Sequence, residues 1–203
     1  MHSFLKQLGA SIALLGIFLI GGCETPATTS KTADVDKALP SGYTCCNFHH
    51  EGDWINDANY ATLPMIPAGT PANVKKYGRY RAYVTIGDKN MRLGLDYGRE
   101  KETLEEWVSK MIVASDPNAK IAGYPAKIQS AIRSGKVTKG MTKEQVIISV
   151  GYPLTSENAS LDAPEWRMWV SSFGEYRIIW DGNDRVKDIV ADDLTKHVIY
   201  AKR

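Results

Sequence analysis

The chain has almost no net charge to spend: 25 Lys and Arg stand against 23 Asp and Glu in 203 residues. No Lys/Arg cluster suggests a nucleic-acid footprint, so nucleic acid is excluded as a partner. Long hydrophobic runs are also missing. From Leu8 to Gly22 there is no charged residue, but this apolar run is roughly fifteen residues, short of the ~20 that a spanning helix needs. Cysteine is scarce, with three in all, so a dense disulfide framework is excluded. No G-x-S-x-G, H-E-x-x-H, P-loop or G-x-G-x-x-G occurs. The sequence therefore offers no familiar nucleophile, zinc helix or nucleotide cradle, and it implies no cofactor and no enzyme.

What the N-terminus does contain is informative. Lys6 precedes an apolar core of Ile12, Leu14, Leu15, Ile17, Phe18, Leu19 and Ile20. Length and flanks fit a secretory signal peptide over residues 1–22. The segment Ile20-Gly21-Gly22-Cys23 resembles the lipobox of bacterial lipoproteins. That resemblance implies cleavage before Cys23 and a lipid on its thiol, so the expected partner is a membrane. Glu24 follows, where enteric-type inner-membrane retention favours Asp. The expected location is thus the outer membrane, facing the periplasm. Residues 23–40 are rich in Thr, Ala, Lys and Asp and read as a tether. Its seventeen residues after the cysteine span on the order of 20–25 Å.

Residues 41–100 read as β structure. Tyr60–Met65 is a candidate strand, and Pro67-Ala68-Gly69-Thr70 a turn. In Arg81–Ile86, Ala82, Val84 and Ile86 share one face, and the chain returns over Met91–Tyr97 after Gly87-Asp88-Lys89-Asn90. The string from Met65 to Gly98 loosely resembles bacterial SH3-like modules, which implies a small barrel. Residues 101–114 are helical, with Leu104, Trp107, Val108, Met111 and Ile112 on one face, and Asp116-Pro117-Asn118 ends the helix. A second helix follows Pro125. A third starts at the capping box Thr142-x-x-Gln145 and stops at Gly151. Strands are expected over Glu165–Val170, Glu175–Trp180 and Arg185–Ala191, with Lys196–Ala201 as a short fourth.

Gly140-Met141-Thr142-x-x-Gln145-Val146, Gly151-Tyr152-Pro153, Trp166 and Ile179-Trp180-Asp181-Gly182-x-x-x-Val186 follow the order seen in the SmpA/OmlA family, which includes BamE-like outer-membrane lipoproteins. The resemblance covers roughly Ala131 to Ala191. It implies an α+β fold in which two helices pack on a three-stranded antiparallel sheet, the layout shared with β-lactamase-inhibitor proteins. It also implies a non-catalytic role in envelope assembly through protein partners. The expected fold is thus a small SH3-like β barrel (41–100) followed by a BamE-like α+β domain (101–203).

One cluster could carry chemistry. Cys45, Cys46, His49 and His50 place thiolates and imidazoles close enough to hold zinc or copper. Adjacent ligands seldom face one ion, and neighbouring cysteines rarely pair, because the ring is small. A buried or disulfide-linked structural role is the alternative. Three functions remain open: an envelope scaffold, a peptidoglycan binder using the 41–100 module, and a metal or redox protein.

Overall fold

The computed structural model describes residues 38–201. Cys23, the signal segment 1–22 and the tether up to Lys37 lie outside the described residues. The fold is mixed α+β. The first half is a curled six-stranded sheet of order β3-β7-β6-β5-β1-β8. Its strands are β1 (Ser41–Thr44), β3 (Trp54–Asn56), β5 (Pro71–Tyr77), β6 (Arg81–Ile86), β7 (Lys89–Gly94) and β8 (Ile112–Val113). Two further short strands, β2 (Phe48–His49) and β4 (Met65–Ile66), pair with each other. Tyr60–Met65 is therefore no strand beyond its last residue.

The β6–β7 hairpin forms because period-two alternation buries Ala82, Val84 and Ile86 against Met91 and Leu93. Ile86 pairs with Lys89, which leaves Gly87-Asp88 as a two-residue loop. Gly87 takes φ +58° there, the left-handed backbone that such hairpins require. Helix α1 (Leu104–Met111) starts at a capping box. Thr103 Oγ1 accepts from the Glu106 amide at 3.2 Å, and Glu106 Oε2 accepts from the Thr103 amide at 2.8 Å. Leu104, Trp107, Val108 and Met111 turn inward and join the core of this first sheet. So the helix within 101–114 packs into the core of the first sheet.

The second half holds α2 (Pro117–Ala122), α3 (Ala126–Arg133), α4 (Lys143–Val150), the sheet β11-β10-β9 and α5. The strands are β9 (Glu165–Ser171), β10 (Gly174–Trp180) and β11 (Val186–Val190), all antiparallel. Their inner face, led by Trp166, Met168, Tyr176 and Ile178, packs with Ile128 and Ile132 of α3 and Val146 and Val150 of α4.

Two expectations fail locally. Asp116-Pro117-Asn118 does not only end a helix: Asp116 caps α2, accepting from the Asn118 amide at 2.8 Å, with Pro117 in the first turn. The C-terminal segment is not a fourth strand but helix α5 (Asp193–Ile199). Asp192 caps it by accepting from the Thr195 amide at 2.9 Å, and this local bond outweighs the alternation of Val198 and Tyr200.

Candidate functional site

The cysteine–histidine cluster folds into a structural seam rather than a metal centre. Cys45 and Cys46 form a disulfide with each other. The pair that ring size disfavours is the one that forms, and it leaves no thiolate for a metal. Cys46 is 0% exposed and lies among the apolar side chains of the first core. Among the described residues, no group of three or more His, Cys, Asp or Glu is placed to hold an ion.

The histidines diverge. His50 Nδ1 lies 2.8 Å from the Gly52 carbonyl in a surface turn. His49 is buried, and its Nδ1 lies 2.8 Å from the Leu63 carbonyl. A carbonyl only accepts, so Nδ1 carries the proton and Nε2 is a bare lone pair with no partner among the described residues. Burial pushes the ring's pKa below 6.5. The sign follows: as pH falls through 6.5, the unfolded chain takes up a proton that the fold refuses, so stability drops. A His49→Gln variant should show a flatter loss of thermal midpoint between neutral and mildly acidic pH. Parallel midpoint curves for parent and variant would contradict this.

Between those residues sits a feature with no local signature in the sequence. The last four carbonyls of a helix have no partner within it. In α4, the Ile147 carbonyl accepts from the Gly151 amide at 2.8 Å. The next three accept from the N-terminal half. Asn47 N donates to Ile148 O at 3.0 Å, Asn47 Nδ2 to Ser149 O at 2.9 Å, and Asn59 Nδ2 to Val150 O at 2.9 Å. Asn47 Nδ2 also donates to Ile132 O at 2.6 Å, and its Oδ1 accepts from the Ala68 amide at 2.9 Å. Asn59 Oδ1 accepts from the His49 amide at 2.7 Å, and its Nδ2 donates to the Asn47 carbonyl at 2.9 Å. Asn59 adopts φ +48°, which Asn tolerates better than most residues. Two buried asparagines thus cap α4 and join the halves.

Asp57 does comparable work at the far edge of the first sheet. Its carboxylate accepts from the amides of Asp96, Tyr97 and Gly98, the last at 2.7 Å. Burial pushes this carboxyl up, and the three amides pull it back only in part. It is a structural clasp, not a general base in a substrate pocket.

The surface feature of most interest lies on the outer face of β3, β7, β6 and β5. Strand register aligns Trp54 with Arg92, Arg92 with Tyr83, and Tyr83 with Lys76. Arg81 lies 4.5 Å and Arg92 5.1 Å from the Trp54 ring, and Lys76 4.6 Å from Tyr83. At the adjoining turn, Arg79 and Arg99 lie 5.0 and 5.2 Å from Tyr80. Such contacts hold cations over ring faces. Arg92 is neutralised by a two-pronged pair with Asp53, whose carboxyl it holds below the usual range. No ion pair with a described carboxylate involves Lys75, Lys76, Arg79, Arg81 or Arg99. In the second half, Lys120, Lys139, Lys143, Arg167 and Arg177 are paired, while Lys127, Arg133, Lys136, Arg185, Lys187 and Lys196, spread over several elements, enter no ion pair with a described carboxylate. A near-zero net charge thus hides a cationic face.

Compared with known proteins, the chain matches no family model, no curated protein and no solved structure. The site must be read from its own chemistry. A cleft of about 370 Å³ lined by Cys45, Lys120, Glu144, Ile147 and Tyr152 also opens beside the disulfide. Lys120 holds the Glu144 carboxyl below its ordinary range, so this acid is a paired anion rather than a proton donor. Neither place assembles a nucleophile, a base and an orienting group.

Proposed function

We propose that the protein is a lipid-tethered, non-catalytic scaffold of the bacterial envelope. Cys23 anchors it to the outer membrane, and its folded part faces the periplasm and binds envelope proteins. The observation that carries this reading is the arrangement of α3 and α4 on β9–β11. Helices beside a three-stranded antiparallel sheet agree with the coarse layout that the SmpA/OmlA resemblance implies, and the resemblance runs through Thr142, Gln145, Gly151 and Trp166. On this reading the β module, a curled six-stranded sheet whose edge strand β3 runs parallel to β7, is an addition to a BamE-like half. Capping of α4 by Asn47 and Asn59 supports a rigid body whose surfaces, rather than a pocket, do the work. Crosslinking of the lipidated protein in the envelope should capture components of outer-membrane barrel assembly. A survey that recovers none of them overturns the reading.

A second reading is peptidoglycan binding by the β module, in which a sugar would have to displace the cations that lie over Trp54, Tyr80 and Tyr83. Retention of the full chain on purified sacculi, lost in a Trp54→Ala variant, would favour it.

A further inference from the structure

We infer that the outer face of β3, β7, β6 and β5 docks onto the anionic headgroup surface of a membrane, with Phe173 as its apolar contact point. Three independent features converge. The first is charge. Lys75, Lys76, Arg79, Arg81 and Arg99 carry no ion pair with a described carboxylate, and three aromatic rings hold most of their heads in place. A cation array fixed before binding loses little side-chain freedom on meeting a layer of negative charge.

The second is the point at which the chain enters the fold. The Pro40 carbonyl accepts from the Val74 amide at 2.9 Å, and β1 then pairs with β5. The segment that leads back to Cys23 therefore joins the strand that carries Lys75 and Lys76. Only residues 24–40 stand between that cysteine and β1 in the sequence. The third is apolar. Phe173, at the β9–β10 turn, is 98% exposed, and Leu194 in the first turn of α5 is 83% exposed. A cleft of about 220 Å³ is lined by Glu51, Trp54 and Asn56 together with Ser171 and Ser172, so the turn bearing Phe173 borders the β3 edge of that sheet, where Glu51 is the one acid of the lining.

Together these select a lipid surface over a glycan or a single-stranded nucleic acid. Sugars and bases stack on bare ring faces. Here Trp54, Tyr80 and Tyr83 already have cations over their rings. A membrane interface uses what is left: positive heads at the phosphate level and one large apolar side chain below it. The inference rests on the anchored reading only for how the face is brought to the bilayer.

The test uses the full chain expressed in a bacterial host, mixed with vesicles of phosphatidylcholine alone or of phosphatidylcholine with phosphatidylglycerol. The anionic vesicles should bind more protein, and added salt should remove the excess. A Lys76→Gln/Arg81→Gln variant should lose roughly 25-fold of that excess, about fivefold for each cation withdrawn. Equal thermal midpoints show that the fold survives, and a second pair, Lys75→Gln/Arg79→Gln, serves if the first lowers the midpoint. Equal binding of the Cys23→Ser chain to both vesicle types, or an excess unchanged when either cation pair is also replaced in that chain, overturns the inference. So does binding to heparin without binding to anionic vesicles, which would assign the face to a soluble polyanion. A Cys23→Ser variant separates the two proposals. It should lose binding to neutral vesicles and keep the anionic excess; unchanged neutral binding would count against the anchor alone.

Discussion

Replacing Asn47 with Ala should destabilise the protein by roughly 3–6 kcal/mol, at about 1–2 kcal/mol for each buried polar group left unpaired. Three are at stake: the Ile132 and Ser149 carbonyls and the Ala68 amide. Each lies in a part of the chain that water does not reach once Asn47 is 2% exposed. Many small domains are stable by only about 5–15 kcal/mol in all, so the loss is a large share of the total. Asn47→Asp is the sharper probe. It keeps the shape and the oxygen that receives Ala68, but turns a second oxygen towards two carbonyls. It should be at least as damaging as Ala. Denaturant unfolding followed by circular dichroism measures both. An Asp variant close to the parent would show that shape, not hydrogen bonding, is what Asn47 provides.

The same bonds predict how the molecule comes apart. The two apolar cores are separate, yet α4 has three carbonyls capped by residues of the first half. Losing the seam leaves a helix end unsatisfied and a loop without its anchor. Asn59 shares the arrangement, so Asn47→Ala and Asn59→Ala should be non-additive, as expected of partners in one network.

Legibility in the sequence followed the range of the interactions. The start of α4 was plain, because Thr142 and Gln145 satisfy each other three residues apart. The strands β6, β7, β9, β10 and β11 were plain because their alternation is local. The seam was not, since Asn47 meets its partners 85 and 102 residues away. An asparagine beside a Cys-Cys pair looks the same whether it caps a distant helix or sits in a turn. β1, β2, β3 and β8 are two to four residues long and exist through pairing rather than pattern. The cationic face was half visible. Lys75, Lys76, Arg79 and Arg81 are close in sequence, but Trp54, Arg92 and Arg99 arrive from elsewhere, and balanced overall charge concealed the segregation.

The second large effect is expected at Trp166, whose replacement by Ala should cost about 3–5 kcal/mol. The ring is 0% exposed at the centre of the second core and meets Trp180 edge-on, with centroids 4.6 Å apart. Its Nε1 donates to the Leu161 carbonyl at 3.2 Å, which ties the long 154–164 loop to the sheet. Truncation would open a void, remove an aromatic pair and take away one of the loop's ties, leaving those that Asn158 makes to the Arg167 backbone and Glu157 to Trp169. Trp166→Phe keeps most of the volume and loses the donor, so it should cost less, and the difference between the two variants separates packing from the loop tether. Trp166 stands in the half whose motif order resembles the SmpA/OmlA family, whereas the cationic face stands in the half that does not. If the Phe variant keeps its fold and its protein partners while the loop becomes open to proteolysis, that loop is excluded as the partner-binding surface. If partners are lost with the loop, the scaffold reading gains an address: the end of the second sheet, where Leu161 and Trp166 meet.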